Sequence, residues 1–324
     1  MGLDINEISE NAMGGTELML NRLKTIQPDL LDKVQIIFSR VRELDETRHR
    51  IFFAHDLPED PEAQHLLNNG WNKFHKIVFV SHTQRNEYLQ RFNIPYSRTV
   101  VLQNAITPIE VHTKPTDKLN LIYHTTPHRG LAILIPVFEK LAETDPNIHL
   151  NVYSSFNLYG WGERDVPFEP LFQKIKDHPQ MTYHGSVSND EIRSALKENH
   201  IFAYPCTWEE TSCLSLMEAM SAGCVSVHPN YGALPETSAN WSVMYNFHED
   251  INQHANIFYG VLDQTIKSYR DDRFAANIHG GKIYSDLFYN WSYRKSQWEA
   301  LLQNVIQDPL DIPKIEEMFV VNTR

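Results

Sequence analysis

Short, nearly unbroken apolar runs recur along this chain at Gln35–Ser39, Ile51–Ala54, Lys76–Ser81, Thr99–Gln103, Leu119–Tyr123, His149–Tyr153, Ile201–Tyr204 and Cys224–Val227. Stretches with helical spacing separate them. Runs without polar alternation need cover on both faces, which parallel strands sandwiched between helices receive. Alternating strands and helices predict an α/β chain with doubly wound sheets, and the runs are too many for one compact sheet. A length of 324 residues agrees with two cores. The polar segment Thr107–Lys118, with two prolines and no helical period, is the expected boundary. This gives an N-terminal domain over 1–108 and a second over 109–280. Residues 281–324 read as terminal helices rich in aromatics, and Asn157–Pro167 reads as a surface loop.

Charge narrows the partners. The chain has 29 Lys+Arg against 41 Asp+Glu, a net charge of −12. No basic cluster stands out, so bulk binding of nucleic acid is excluded and any anionic ligand must be held by local devices. No stretch approaches the roughly 18 apolar residues that would span a bilayer. The polar, acidic start MGLDINEISE resembles neither a signal nor a transit peptide, and Asn6 stands where myristoylation wants Ser or Thr. The expected location is cytoplasmic. Three cysteines, Cys206, Cys213 and Cys224, fit a reducing compartment. With His228 they number four potential ligands, but their spacing is wrong for structural zinc, so buried core cysteines and no metal are expected.

The most informative stretch is Ile201–Glu236, IFAYPCTWEETSCLSLMEAMSAGCVSVHPNYGALPE. It reads as strand, loop, helix, turn, strand and loop. Thr211 or Ser212 is placed to cap the helix, which is expected to run to about Ala222 with Gly223 ending it. Free N–H groups around Ser212, Cys213 and Leu214 then favour an anion such as a phosphate. Glu218 falls among Leu214, Leu216, Met217, Ala219 and Met220 on a helix that is apolar nearly all round. A carboxylate there needs compensation, either from ligand hydroxyls or from a nearby Arg or His. Glu210, at the loop–helix junction, admits two roles: a ligand contact, or a first-turn acid favoured by the helix dipole.

Glu210 and Glu218 form E-x7-E, the second Glu opens E-A-M-S-A-G, and Y-G-A-L-P-E follows. This block resembles the donor-site motif of retaining glycosyltransferases of family 4. Further matches come in that family's order: Gly14-Gly15-Thr16-Glu17, His55-Asp56-Leu57-Pro58, Val80-Ser81, Gln103-Asn104-Ala105-Ile106, Arg129-Gly130-Leu131 and Phe288–Ser292. The resemblance covers nearly the whole chain. It implies the GT-B architecture, two Rossmann-like domains facing a cleft, with the terminal helix returning to the N-terminal domain. Only about a dozen residues precede Gly14, so that domain is expected to be shortened and to lack its first strand.

The resemblance also implies an activity: transfer of a sugar from a nucleoside-diphosphate sugar to a glycan or other hydroxyl acceptor, with retention. The nucleotide sugar is a co-substrate and no cofactor is expected. The diphosphate would lie on Thr211, Ser212, Cys213 and Leu214 with Arg129 as its cation, helped by the hydroxyls of Thr125 and Thr126. Glu218 would take the ribose hydroxyls and Glu210 those of the transferred sugar. His55 would lie near the reacting carbon, and Gly14 and Gly15 would let backbone approach the donor or acceptor. For His55 the plainer alternative is an ordinary strand-end histidine, and for Arg129 a surface ion pair. No D-x-D triplet occurs, so transfer is expected to be metal-independent. A binding protein without catalysis and a GT-B sugar epimerase are the competing readings.

Overall fold

The fold is that of a computed structural model, which describes residues 2–4, 14–271 and 273–312. Asn6 lies outside them. The chain divides into two compact units, one built on Gly15–Ala105 with the chain from Trp291 onward, the other on Ile106–Asn290.

The first unit runs β1 (Leu3–Asp4), α1 (Gly15–Leu23), α2 (Pro28–Leu31), β2 (Val34–Phe38), β3 (His49–Ala54), β4 (Lys76–Phe79), α3 (His82–Phe92) and β5 (Thr99–Val101). Its five strands lie in the order β1-β2-β3-β4-β5, all parallel. Successive residues of β3 face opposite sides, as the strand period requires. Ile51 and Phe53 join Met19, Leu23, Trp298 and Leu302 in one core. Phe52 and Ala54 join Trp71, Phe74 and Tyr88 in another. The near-continuous apolar run is thus two half-strands, each serving its own core. The expected loss of the first strand is corrected, because Leu3 and Asp4 register with Ile36 and Ile37.

The second unit contains β6 (Leu119–Tyr123), α4 (Leu131–Ala142), β7 (Ile148–Val152), α5 (Glu169–Asp177), β8 (Met181–Tyr183), α6 (Asn189–Glu198) and β9 (Ile201–Ala203). It continues through α7 (Leu214–Ser221), β10 (Val225–Pro229), α8 (Leu234–Ser238), β11 (Val243–Tyr245), α9 (Ile251–Arg270) and α10 (Ala275–Phe288). Its parallel sheet has the order β11-β10-β9-β6-β7-β8. Strand order reverses between β6 and β9, so the loops leaving their carboxyl ends diverge to opposite faces and open a crevice there.

The chain leaves the second unit where it entered. Ile106 N donates to the Tyr289 carbonyl at 2.6 Å, and Ile106 forms a parallel bridge with Asn290. Past this point α11 (Trp291–Val305) places Trp298, Leu302 and Val305, spaced by four and three, in the β3 core of the first unit. The return therefore begins at Trp291 rather than at residue 281, and α10 packs on the second unit. The fully buried Trp298 ring meets Phe53 edge-on at 4.9 Å.

Trp298→Ala is expected to cost the first unit about 3–5 kcal/mol, read as an earlier unfolding transition in a urea titration. Trp298→Phe, which keeps most of the ring volume, should lose much less.

Candidate functional site

Thr125, Thr126 and Arg129 follow β6, and Glu210 follows β9, so the two loops at the reversal of strand order carry the residues singled out in the sequence. The segment after β6 turns through Pro127–Arg129 and enters α4 at Gly130. Gly130 has φ +129°, and a Cβ there would lie 2.1 Å from the Pro205 carbonyl oxygen. Only glycine lets the β6 loop pass this close to the β9 loop. The two loops are then cross-linked: Thr207 N donates to the Arg129 carbonyl at 3.3 Å, and Thr207 Oγ1 donates to that of His128 at 3.1 Å.

Arg129 and Glu210 meet directly. Arg129 Nη1 lies 2.5 Å from Glu210 Oε1, and the Tyr204 hydroxyl donates to the same oxygen at 2.5 Å. Glu210 is only 6% exposed. Burial opposes the charge on Arg129, but the adjacent carboxylate outweighs it and holds the guanidinium above its ordinary value. Its Nε is buried without a hydrogen-bond partner. The guanidinium carbon stands 5.7 Å from the centre of the Trp208 ring, within cation–π range. His128 stacks on Phe156 at 5.1 Å and meets Trp208 edge-on at 5.0 Å. The surface ion pair considered for Arg129 is thus a half-buried one, with a specific partner.

The backbone of Glu210 is gripped by the Y-G-A-L-P-E turn. Ala233 N donates to the Glu210 carbonyl at 2.7 Å. A Cβ on Gly232, at φ +55°, would sit 2.6 Å from both the N and the O of Glu210. The spacing between Glu210 and this turn is therefore a packing requirement.

Two expectations about the helix need correction. α7 begins at Leu214, with Cys213 at its N-cap making no side-chain capping bond. Neither Thr211 nor Ser212 caps it, and Glu210 is not in its first turn, so the dipole explanation for that residue falls. The Ser212 hydroxyl is buried without a hydrogen-bond partner, as is that of Thr126. Thr125 Oγ1 donates to the Tyr123 hydroxyl at 3.1 Å. Cys206, Cys213 and Cys224 are free and buried, and burial pushes the Cys206 thiol up to about 12.

Glu218 is 3% exposed and faces α6. Asn189 Nδ2 donates to its Oε1 at 3.2 Å and its Oε2 at 3.1 Å, and Arg193 Nη1 lies 3.5 Å from Oε1. The compensation for Glu218 therefore includes a nearby Arg, one of the two possibilities the sequence left open. Tyr204, Asn189, Arg193 and Trp208 were not singled out from the sequence. The only signal for Asn189 was its place behind Ser188 in a Ser-x-x-Glu capping box.

His55 follows β3 of the first unit. Its backbone N donates to Ser39 Oγ at 2.9 Å, and its ring meets Phe53 edge-on at 4.2 Å. Burial lowers its pKa to about 3, so the imidazole is neutral near pH 7. Gly14 lies in a bend and Gly15 opens α1. Residues 11–13 before them lie outside the described part of the chain.

Residues 109–263, just under half of the chain, match the family model described as "Glycosyl transferases group 1". The gpi3 component of phosphatidylinositol N-acetylglucosaminyltransferase from Schizosaccharomyces pombe is 24% identical over 196 residues, 57% of this chain and 41% of that protein. A Homo sapiens protein that is named as part of the same transferase is 22% identical over 165 residues, 49% of this chain and 33% of that one. The chain thus spans less than half the length of these curated relatives. Among solved structures, a glycosyltransferase from Rickettsia africae superposes with TM-score 0.67 at 14% identity, over 94% of this chain and 85% of that one. The Anabaena protein HepE, in complex with UDP-glucose, gives 0.62 at 15% identity, over 89% and 82%. The fold is that of the GT-B glycosyltransferases.

Two outcomes follow for the site. Arg129→Met leaves the Glu210 carboxylate buried without its ion-pair partner and is expected to cost about 3–5 kcal/mol. Adding Glu210→Gln should recover most of that in a double-mutant cycle of urea stability. Burial also lowers the pKa of His124 to about 3 and that of His128 to about 4, from 6.5. A depressed histidine pKa means that the unfolded chain binds protons first. Its stabilising contribution is therefore complete above pH 6.5 and is lost as pH falls towards 4. Replacing both with Gln should flatten that limb of a stability–pH profile.

Proposed function

We propose that this protein is an enzyme that transfers a sugar from a nucleoside-diphosphate sugar to a hydroxyl group of a glycan or other acceptor, with retention and without a divalent metal. The observation that carries the reading is the grouping at the β6/β9 reversal: the half-buried Arg129, the buried Glu210, and α7 with Glu218 four residues into it. Four residues of helix rise roughly 6 Å. That is comparable to the reach from a ribose diol to its 5′-phosphate, so one helix offers a carboxylate for the ribose and its N-terminal end for the phosphate.

In this reading the diphosphate lies against the backbone of Thr211, Ser212, Cys213 and Leu214. Arg129, held by Glu210, is the cation placed beside it. The buried hydroxyls of Thr126 and Ser212, which have no hydrogen-bond partner, and the half-buried hydroxyl of Thr125 are the polar groups available to it. Glu218 accepts the ribose hydroxyls, and Glu210 those of the transferred sugar while it also orients Arg129. His55 and the Gly14-Gly15 pair enter on the family resemblance alone. The acceptor oxygen attacks the anomeric carbon on the face the diphosphate is leaving. The carbon–oxygen bond to phosphate breaks, and the acceptor proton passes to the departing phosphate oxygen. The curated relatives, named for N-acetylglucosaminyl transfer, support a hexose-class donor, and the UDP-glucose complex of a structural neighbour supports a nucleotide-sugar one. A cytoplasmic location belongs to the same proposal.

The test is a melting-temperature panel of UDP, GDP and ADP with their hexose conjugates, followed by turnover assays. One nucleotide at 100 times its Kd should add about 2.7 kcal/mol of stability, and Glu218→Ala should abolish that gain. Transfer should survive EDTA. Abolition by EDTA with rescue by Mg²⁺ or Mn²⁺ overturns metal independence. Binding without any transfer or hydrolysis leaves a nucleotide-sugar-binding protein.

A further inference from the structure

We infer that Arg193, with Asn189 one turn before it on α6, is a positioning residue that holds Glu218 ionised and oriented to receive a ribose. The inference rests on the ribose role proposed for Glu218 and adds the residues that make it possible.

A carboxylate that is 3% exposed has lost most of its water, and its hydration must be replaced by fixed donors. α6 supplies them from one face, since residues four apart on a helix are neighbours. The Asn189 amide nitrogen donates to both carboxylate oxygens, at 3.2 and 3.1 Å, which fixes the plane of the group. Asn189 is itself fixed because Ser188 and Glu191 form a complete capping box around it. Arg193 contributes charge rather than a strong hydrogen bond, because 3.5 Å to Oε1 is long for the second and close for the first.

The position of that charge is set from elsewhere. Arg193 Nη1 donates to the Thr107 carbonyl at 2.8 Å, and Nη2 donates to that of Pro108 at 3.3 Å. Two adjacent backbone carbonyls, just after the chain enters the second unit, therefore grip the guanidinium. A lysine has no planar fork with which to make both bonds.

Stability alone does not call for such a pair, since an apolar pair of similar volume is often as stable or more so. A ligand diol does call for it. Two hydroxyls that both donate need an ionised acceptor with its oxygens correctly turned, and such charge-assisted bonds are the strong ones. Asn189 and Arg193 meet both conditions from the α6 side of the carboxylate.

The experiment measures Kd by calorimetry for whichever of UDP, GDP and ADP raises the melting temperature most, and for its 2′,3′-dideoxy counterpart. The full chain is used, with Arg193→Gln, Arg193→Lys, Asn189→Ala and Glu218→Gln. The unaltered protein should prefer the ribose form by about tenfold or more. Arg193→Gln should erase most of that preference while leaving the dideoxy affinity unchanged, and Arg193→Lys should fall between. In the Glu218→Gln background, Arg193→Gln should have no further effect on the ratio. If Arg193→Gln does not fold, Arg193→Lys and Asn189→Ala read the same ratio. Equal weakening of both ligands, or an unchanged ribose preference, makes Arg193 purely structural and overturns the inference. Absence of any preference in the unaltered protein instead removes the ribose role of Glu218, and this inference with it.

Discussion

A carboxylate buried as deeply as that of Glu210 persists only where an ion pair and hydrogen bonds stand in for the water it has lost, and here those partners come from separate parts of one sheet edge. Arg129 reaches it from the loop after β6, Tyr204 from the end of β9, and the turn at Tyr231–Leu234 clamps its backbone. Each partner carries its own geometric condition. Arg129 arrives only because Gly130 lets its loop pass the Pro205 carbonyl, and the clamp closes only because Gly232 has no side chain. The residue pattern around the site is largely the set of conditions under which one charge stays buried. The reversal of strand order makes the arrangement possible, because it brings the two loops to the same edge.

The second buried carboxylate is solved differently. Glu218 sits within an apolar helix, and two of its partners, Asn189 and Arg193, lie on the neighbouring α6. In a chain of net charge −12, Arg129 and Arg193 are each placed against one of these two acids.

Strands buried on both faces were the most legible parts of the fold, because burial leaves no polar residue to blur the run; Leu119–Tyr123 matches its expected bounds residue for residue. Three of the five short strands, Leu3–Asp4, Met181–Tyr183 and Val243–Tyr245, were not legible, whereas Thr99–Val101 and Ile201–Ala203 lay within longer apolar runs. Each of those three lies at a sheet edge, where half-exposed positions admit polar residues and two or three residues carry no period. The helix start was misplaced because Thr211 and Ser212 are good capping residues by type, yet the helix begins at Leu214 with Cys213 at its N-cap. At the site, the need for partners at Glu210 and Glu218 followed from charge in an apolar setting, whereas the identity of those partners did not. Arg129 lies 81 residues from Glu210 and Arg193 lies 25 from Glu218, distances that only the topology closes.

The paired crossings at Ile106 and Asn290 also bear on how the polypeptide is made. The second unit is an insertion whose two ends are bonded together, so every residue of its sheet emerges from the ribosome as one uninterrupted stretch. The first unit starts earlier and finishes later, because Trp298, Leu302 and Val305 complete the core around Phe53. Synthesis order and completion order are therefore inverted. The half translated first must wait, with one of its two cores lacking the side chains of α11, while the half translated second folds, and that interval is when the chain most needs protection from aggregation. An excised Ile106–Asn290 fragment escapes this problem, whereas a truncation anywhere before Val305 strands the N-terminal sheet.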